Sequence, residues 1–253
     1  MTAGALRPAL LSLGAAVALG VVASCARQGT PPGGPPDRLP PEVVRTRPDT
    51  FAELEVVDDP IRIEFSERIS ENPTRGTLDD AVLVSPRTGE LRVSHEGDAL
   101  EVDLSGGFRS GVAYRVTVLP VVQDLFGNAM PEPFEFLFST GGEYTPNAVA
   151  GVVVDRITGE MVQDAEVLAH PDWTDTLDLV YVSRTDTAGI FALRYVPPGR
   201  YRLQAFQDRD RDGEADPFEI QGERLIPLGA TDTLLSDLVI LQPDTSAPRL
   251  AQA

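Results

Sequence analysis

The stretch that decides the fold runs from residue 111 to residue 141 and reads GVAYRVTVLPVVQDLFGNAMPEPFEFLFSTG. Residues 112–119 are rich in β-branched and aromatic side chains, and residues 134–138 alternate like a strand with one buried face. The segment 124–128 between them reads DLFGN. Asp and Asn bond their own backbone and Gly accepts a left-handed conformation, so we interpret this segment as a structural turn and not as a functional site.

The same short, alternating pattern continues on the N-terminal side. Residues 61–65 alternate with period two, and residues 100–104 do so again. Apolar residues at 81–84 and 91–93 flank SPRTGE, which predicts a hairpin turn with Gly89 at positive φ. Since no segment after the first 24 residues gives an amphipathic helix of 12 residues, the sequence predicts an all-β protein.

Four short motifs resemble the bacterial Ig-like domains first described in surface-layer proteins. They are an Ile-x-Phe-Ser-Glu strand, a Tyr-x-Val strand, an Asp-x-x-Gly-Asn turn and a final Phe-x-Phe-x-Thr strand, found here at residues 63–67, 114–116, 124–128 and 136–140. The resemblance covers about residues 41–141 and implies an antiparallel β-sandwich over residues 42–141.

A second region follows the Gly- and Pro-containing segment at residues 141–148, which suits a domain boundary. Residues 148–241 resemble the carboxypeptidase-regulatory-like and Cna-B-like β-sandwiches, through motifs at residues 151–153, 186–191 and 197–201. Together the two resemblances imply two tandem antiparallel β-sandwich domains. The isopeptide bond of some Cna-B-like domains needs Lys, which this chain lacks. Residues 243–253 are expected to form a frayed tail.

The N-terminus predicts a lipid anchor. Arg7, an apolar run and the small residues of Val-Ala-Ser-Cys at 22–25 have the layout of a lipoprotein signal peptide over residues 1–24. Cys25, the only Cys of the chain, would carry the lipid, and residues 25–41, dominated by Pro and Gly, would tether the domains to the membrane. The alternative is an ordinary signal peptide. We expect a cell-envelope protein, located at the outer membrane if the organism has two membranes, because Ala26 follows the Cys.

Composition and motifs argue against two classes of function. A net charge of −18 with 21 basic residues argues against a nucleic-acid-binding function. His95 and His170 have no neighbouring His or Cys at metal-ligand spacing, and no Gly-x-Ser-x-Gly elbow or phosphate-binding loop occurs. We therefore predict no catalytic residues, although an unrecognised hydrolase is kept as a third possibility.

An acidic loop matches the complete pattern of an EF-hand calcium loop. Residue 213 is the Gly of the sharp turn, and strand-like residues 201–206 precede the loop, so the flanks do not predict a helix–loop–helix. The sequence predicts a structural Ca²⁺ site on a β-sandwich; the alternative is a solvated acidic turn. The six predicted ligand residues are Asp208, Asp210, Asp212, Glu214, Asp216 and Glu219.

These features predict a non-catalytic envelope lipoprotein that acts as a structural spacer or as an adhesion or protein-binding module. The alternative is a carbohydrate-binding accessory module, in which Trp173, Tyr181 and Tyr195 would stack on sugar rings. Trp173 could equally be a loop aromatic packed on the sandwich. The expected partner beyond the membrane is an envelope protein or a glycan.

Overall fold

The computed structural model describes residues 34–172, 179–210, 213, 215–231 and 233–241. In these residues the chain forms 17 strands and one 3-10 turn at Asp79–Ala81, and it forms no α-helix. The all-β prediction is therefore confirmed. In chain order the strands are β1 (Val43–Arg47), β2 (Ala52–Glu53), β3 (Ile61–Phe65), β4 (Val82–Ser85), β5 (Arg87–Thr88), β6 (Leu91–His95), β7 (Ala99–Leu104), β8 (Ala113–Val118), β9 (Phe134–Ser139), β10 (Ala148–Asp155), β11 (Glu166–Pro171), β12 (Leu179–Arg184), β13 (Ile190–Arg194), β14 (Gly199–Phe206), β15 (Gln221–Leu228), β16 (Thr233–Leu235) and β17 (Leu238–Ile240).

The first sandwich packs a β1-β3-β7-β6 sheet against a β2-β9-β8-β4 sheet. Period-two alternation places Ile61 and Ile63 of β3 in the core, both fully buried, while Arg62 between them faces outward and bonds Glu101. The 124–128 segment is a turn as predicted, because Oδ1 of Asp124 accepts the N–H groups two and four residues later, both at 2.8 Å.

The second sandwich packs a four-stranded sheet, in which β13, β16 and β17 all pair with β10, against a β15-β14-β11-β12-β5 sheet. Its core contains fully buried Tyr201 and Leu203 of β14 facing Leu193 of β13. Members of the first core lie between residues 61 and 138, and members of the second lie between residues 149 and 240.

A buried tyrosine anchors the backbone in each sandwich. In the first, the Tyr114 hydroxyl accepts the Arg109 N–H at 2.6 Å; in the second, the Tyr201 hydroxyl donates to the Pro197 carbonyl at 2.8 Å. Burial raises the pKa of both phenols, so each hydroxyl keeps its proton at neutral pH. The Pro-Pro-Gly segment before Tyr201 is thereby fixed to the strand that follows it.

Strand β5 corrects the hairpin prediction for residues 85–90. Strands β4 and β6 belong to different sheets, so the segment crosses between sheets, although Gly89 does take the positive φ of 72°. Within it, β5 pairs antiparallel with β12 of the second sandwich, Thr88 opposite Leu179 and Arg87 opposite Val180. A strand from the first sandwich thus becomes the outermost strand of a sheet of the second.

A small apolar cluster lies between the two sandwiches, formed by Leu83 of β4 with Leu168, Val182 and Phe206 of the second sandwich. All four side chains are at least nine-tenths buried. Residues 38–253 accordingly form one compact unit, and residues 1–37 form a separate unit, of which residues 34–37 are described. Among the described residues, no helix is long and apolar enough to span a membrane.

Candidate functional site

The acidic loop connects two paired strands of the second sandwich. Strands β14 and β15 pair antiparallel along eight positions, from Gly199 opposite Leu228 to Phe206 opposite Gln221. The loop is therefore the closing segment of a β-hairpin, and its two ends are held one strand spacing apart. The strand predicted on its N-terminal side is confirmed as β14.

Three of the six predicted ligands converge. One carboxylate oxygen each from Asp208, Asp210 and Glu219 lies within 4.8 Å of the other two. Because Ca²⁺ takes oxygen ligands at about 2.3–2.6 Å, oxygens of one coordination sphere are separated by up to about 5 Å, and this cluster fits that limit. Asp212 and Glu214 lie outside the described residues.

Glu219 organises the backbone of the loop. Its side chain is largely buried, at 5% exposure for the residue, and its two oxygens accept the N–H groups of Arg209 at 2.6 Å and Asp216 at 3.2 Å. Asp208 accepts the Gly213 N–H at 3.0 Å. Two of the three converging carboxylates, those of Asp208 and Glu219, are thus already oriented by backbone donors, which lowers the ordering cost of binding.

Of the two other described positions of the loop pattern, Gly213 fits its predicted role, whereas the side chain of Asp216 does not join the carboxylate cluster. Gly213 has a φ of +75°, so the sharp turn at this position uses a conformation that side chains other than Gly disfavour. Asp216 takes part through its backbone: its N–H bonds Glu219, and its carbonyl accepts the Gln221 side chain at 2.6 Å. Asp216 is not a member of the converging carboxylate cluster.

Arg87 reaches the loop from the first sandwich. Its Nη2 donates to the Gly213 carbonyl at 2.7 Å, and its Nη1 donates to Oε1 of Glu166 at 3.2 Å. The Glu166 side chain is only 4% exposed, and burial raises its pKa, with Asp208 adding to the increase and Arg87 opposing it. Arg87 and Glu166 were not predicted as site residues, because they lie 79 positions apart in the chain. The one feature of the sequence that points to Arg87 is its place in the strand-breaking segment SPRTGE.

A cleft of about 970 Å³ adjoins this cluster, with both sandwiches forming its walls. Polar side chains of Arg87, Glu166, His170 and Gln204 line it beside the apolar Val180. Burial lowers the pKa of His170, and Arg202 and Arg87 lower it further, so the imidazole is neutral at pH 7. The cleft lining therefore contains both hydrogen-bond donors and acceptors.

The predicted stacking platform is corrected at one residue. Tyr181 is 4% exposed, and its ring meets that of Tyr201 edge-on in the core with centroids 5.9 Å apart, so it has no free face for a sugar. The alternating pattern of β12 turns Tyr181 inward. Tyr195 is half-buried at the end of β13 with a φ of +59°. Trp173 and the predicted lipidation site Cys25 lie outside the described residues.

Comparison with known proteins defines the first sandwich. Residues 37–140 match the family model of the bacterial Ig-like domain, which confirms the resemblance of this region. No curated protein matches the chain.

Solved structures give only distant likenesses. A Pseudomonas aeruginosa protein thought to bind carbohydrate has 12% identity and a TM-score of 0.26, covering 39% of this chain and 90% of its own. BcpA, the major pilin subunit of Bacillus cereus, has 9% identity and a TM-score of 0.28, covering 80% and 71%. An L,D-transpeptidase from Mycobacterium smegmatis has 16% identity and a TM-score of 0.29, covering 81% and 91%. TM-scores this low carry no argument about function.

Proposed function

We propose that the protein is a non-catalytic, lipid-anchored module of the cell envelope, in which two β-sandwiches act as one rigid spacer or binding platform. The observation that carries the proposal is the strand pairing of β5 with β12, by which the first sandwich completes a sheet of the second. The bacterial Ig-like family match at residues 37–140 supports a structural or binding role.

Buried polar contacts reinforce this joint. Arg115, 6% exposed, donates from Nη2 to the Val182 carbonyl at 3.2 Å, and the Val182 N–H donates to Oγ of Ser85 at 3.0 Å. Arg184 donates to the Asp80 carbonyl at 3.2 Å. Domains of one chain move relative to each other by default unless their interface is both large and apolar. Here strand pairing, an apolar cluster and buried hydrogen bonds act together, which favours a rigid unit.

The anchor would be a lipid on Cys25. Two or more acyl chains suffice for stable attachment, so the sandwiches themselves need no membrane-binding surface. Metabolic labelling with a clickable fatty acid, followed by membrane fractionation, tests this part. We expect label on the wild-type protein and a soluble, unlabelled Cys25→Ser variant. A labelled Cys25→Ser variant, or an unlabelled wild type, would refute the anchor.

The acidic loop would hold a structural Ca²⁺ ion. Asp208, Asp210 and Glu219 would supply carboxylate oxygens, with Asp212, Glu214 and Asp216 as the further ligands that the loop pattern assigns. The bound ion would offset the mutual repulsion of the carboxylates. Because extracellular modules bind Ca²⁺ with dissociation constants of about 10⁻⁴–10⁻³ M, the ion would stabilise the hairpin and would not act as a sensor.

The cleft favours one alternative function, the binding of a glycan. Sugar hydroxyl groups need both donors and acceptors, and Arg87, Glu166 and Gln204 supply both to the lining of the cleft. Glycan-array binding by residues 26–253, compared with a Gln204→Ala variant, separates the alternatives. A hit that Gln204→Ala abolishes would favour glycan binding, whereas capture of an envelope protein with no glycan hit would favour the spacer or protein-binding role.

A further inference from the structure

A second cleft lies between the two sandwiches, on the outward side of strand β8. Its volume is about 610 Å³, within the range of about 300–1,000 Å³ that small-molecule sites occupy. We call this space the β8 cleft. Both sandwiches contribute polar residues to its lining: Arg115 and Thr117 of β8, Glu135 of β9, Ser183 of β12, and Arg194 at the end of β13.

Apolar side chains supply the rest of the contact surface that the β8 cleft offers. Leu83 of β4, which also packs on Leu168 in the joint, is 8% exposed and lines the cleft. The other apolar members of the lining are Leu119, Pro120, Val121, Pro133 and Ala192. Because burying apolar surface is the main favourable contribution to filling such a space, a ligand of this cleft needs an apolar body.

The guanidinium group of Arg115 is buried and incompletely bonded. Its Nη1 lies 3.4 Å from both Oε2 of Glu135 and the Ala192 carbonyl, and its Nη2 donates to the Val182 carbonyl at 3.2 Å. Its Nε–H is buried and has no hydrogen-bond partner among the described residues. An arginine has five N–H donors, and buried donors are nearly always bonded, so this group is short of acceptors.

One carboxylate serves two guanidinium groups at this end of the β8 cleft. Glu135 lies 3.4 Å from Nη1 of Arg115 and 3.9 Å from Nη1 of Arg194. Burial lowers the pKa of Arg115; Glu135 opposes the decrease, and the nearby Arg194 adds to it. Arginine keeps its charge in proteins, so two cations face one anion and positive charge is in excess here.

The other charges of the lining are paired or lie away from this end. Asp186, the one carboxylate of the lining without an arginine partner, accepts the N–H groups of residues 188 and 190 at 2.9 Å, where β13 begins. Arg194 ends the same strand, four residues and thus about 13 Å from residue 190. The remaining two arginines are each matched by a carboxylate, Arg75 by Asp164 at 3.3 Å and Arg184 by Asp80 at 3.7 Å.

We propose that the β8 cleft binds a small apolar carboxylic acid, with its carboxylate at Arg115 and Arg194 and its apolar body against Leu83 and Leu119. The carboxylate supplies the acceptors that the Arg115 guanidinium lacks, and it neutralises the excess positive charge through charge-assisted hydrogen bonds. The converging carboxylates of the acidic loop do not line this cleft. The proposal therefore adds a ligand to the rigid module and depends neither on the calcium site nor on the lipid anchor.

Isothermal titration calorimetry of residues 26–253, which contain the whole compact unit, tests the proposal. The probes are sodium octanoate and octan-1-ol, which share an apolar chain and differ in charge. We expect saturable binding of octanoate at one site per chain. Octan-1-ol should bind at least about tenfold more weakly, because it lacks the hydrogen bonds between charged groups. Absence of octanoate binding, or equal affinities for the two probes, would overturn the proposal.

Two variants place the binding in the β8 cleft without removing Arg115, which also braces the joint. Arg194→Gln, at a side chain that is 58% exposed, should weaken octanoate binding about threefold and leave octan-1-ol binding unchanged. Glu135→Gln removes the competing carboxylate and should strengthen octanoate binding. The control Arg92→Gln, outside the cleft, should change neither affinity. All three variants should keep the wild-type near-ultraviolet circular dichroism, and wild-type octanoate affinity in both cleft variants would overturn the assignment.

Discussion

Arg87 and Glu166 form an ion pair across the joint of the two sandwiches, with Nη1 and Oε1 3.2 Å apart. Arg87 is 20% exposed at its side chain and Glu166 is 4% exposed. The same guanidinium also bonds the backbone of the acidic loop at Gly213. One side chain of the first sandwich thus holds both a buried carboxylate and the candidate calcium loop of the second.

Replacing Arg87 by Ala should destabilise the protein by about 3 kcal/mol, because it leaves Glu166 buried without its cation. Urea unfolding measures the change. The control Arg92→Ala removes an Arg whose side chain is 75% exposed and pairs with Glu90, and it should change stability by less than about 0.5 kcal/mol. The double variant Arg87→Met with Glu166→Met should recover most of the loss; equal destabilisation of the single and double variants would contradict this account.

The pH dependence of the Arg87→Ala variant follows from the raised pKa of Glu166. A carboxyl group with a raised folded-state pKa binds its proton more tightly in the folded protein, so its destabilising effect grows as pH rises through that pKa. Without Arg87, the main influence opposing the increase is lost and the pKa rises further. We expect the stability difference from wild type to be larger at pH 8 than at pH 5. Thermal unfolding measured between pH 5 and pH 8 checks this expectation. Adding Glu166→Gln to the Arg87→Ala variant should make its stability difference from wild type less dependent on pH.

Calcium should stabilise the second sandwich. At about 1 mM Ca²⁺ and a dissociation constant of about 10⁻⁴–10⁻³ M, the gain is about 0.4–1.4 kcal/mol. Scanning calorimetry with Ca²⁺ and with EDTA measures it. The response should disappear in Asp210→Asn and persist in Glu223→Gln, a control on exposed strand β15 outside the loop. An unchanged melting temperature on adding Ca²⁺ to wild type would favour the solvated acidic turn.

Tyr201→Phe should cost about 1 kcal/mol, because it removes the part-buried hydrogen bond to the Pro197 carbonyl. Tyr195→Phe, at a half-buried Tyr, is the matched control and should change stability by less than about 0.5 kcal/mol. Chemical unfolding distinguishes the two. Equal losses of unfolding free energy in the two variants would mean that the hydroxyl of Tyr201 does not anchor the Pro-Pro-Gly segment.

Local patterns predicted the strands well, and they failed where long-range pairing decided the outcome. The alternation of residues 61–65 correctly assigned inward and outward side chains, because a strand has a fixed period of two. The SPRTGE segment was interpreted as a hairpin since its Gly and Pro predict a turn. Its Arg87 and Thr88 instead pair with β12, more than 90 residues away. The carbohydrate-binding alternative places Tyr181 on a surface platform, whereas the register of β12 turns it into the core.

By itself, the sequence determined the all-β class, the family of the first sandwich and the strand that precedes the acidic loop. Each of these depends on local periodicity or on residues a few positions apart. Only the tertiary structure decided that Arg87 joins Glu166 and Gly213 and that Leu83 packs on Leu168. The reason is physical: these residues are distant in the chain, and only the packing of two complete sandwiches brings them into contact.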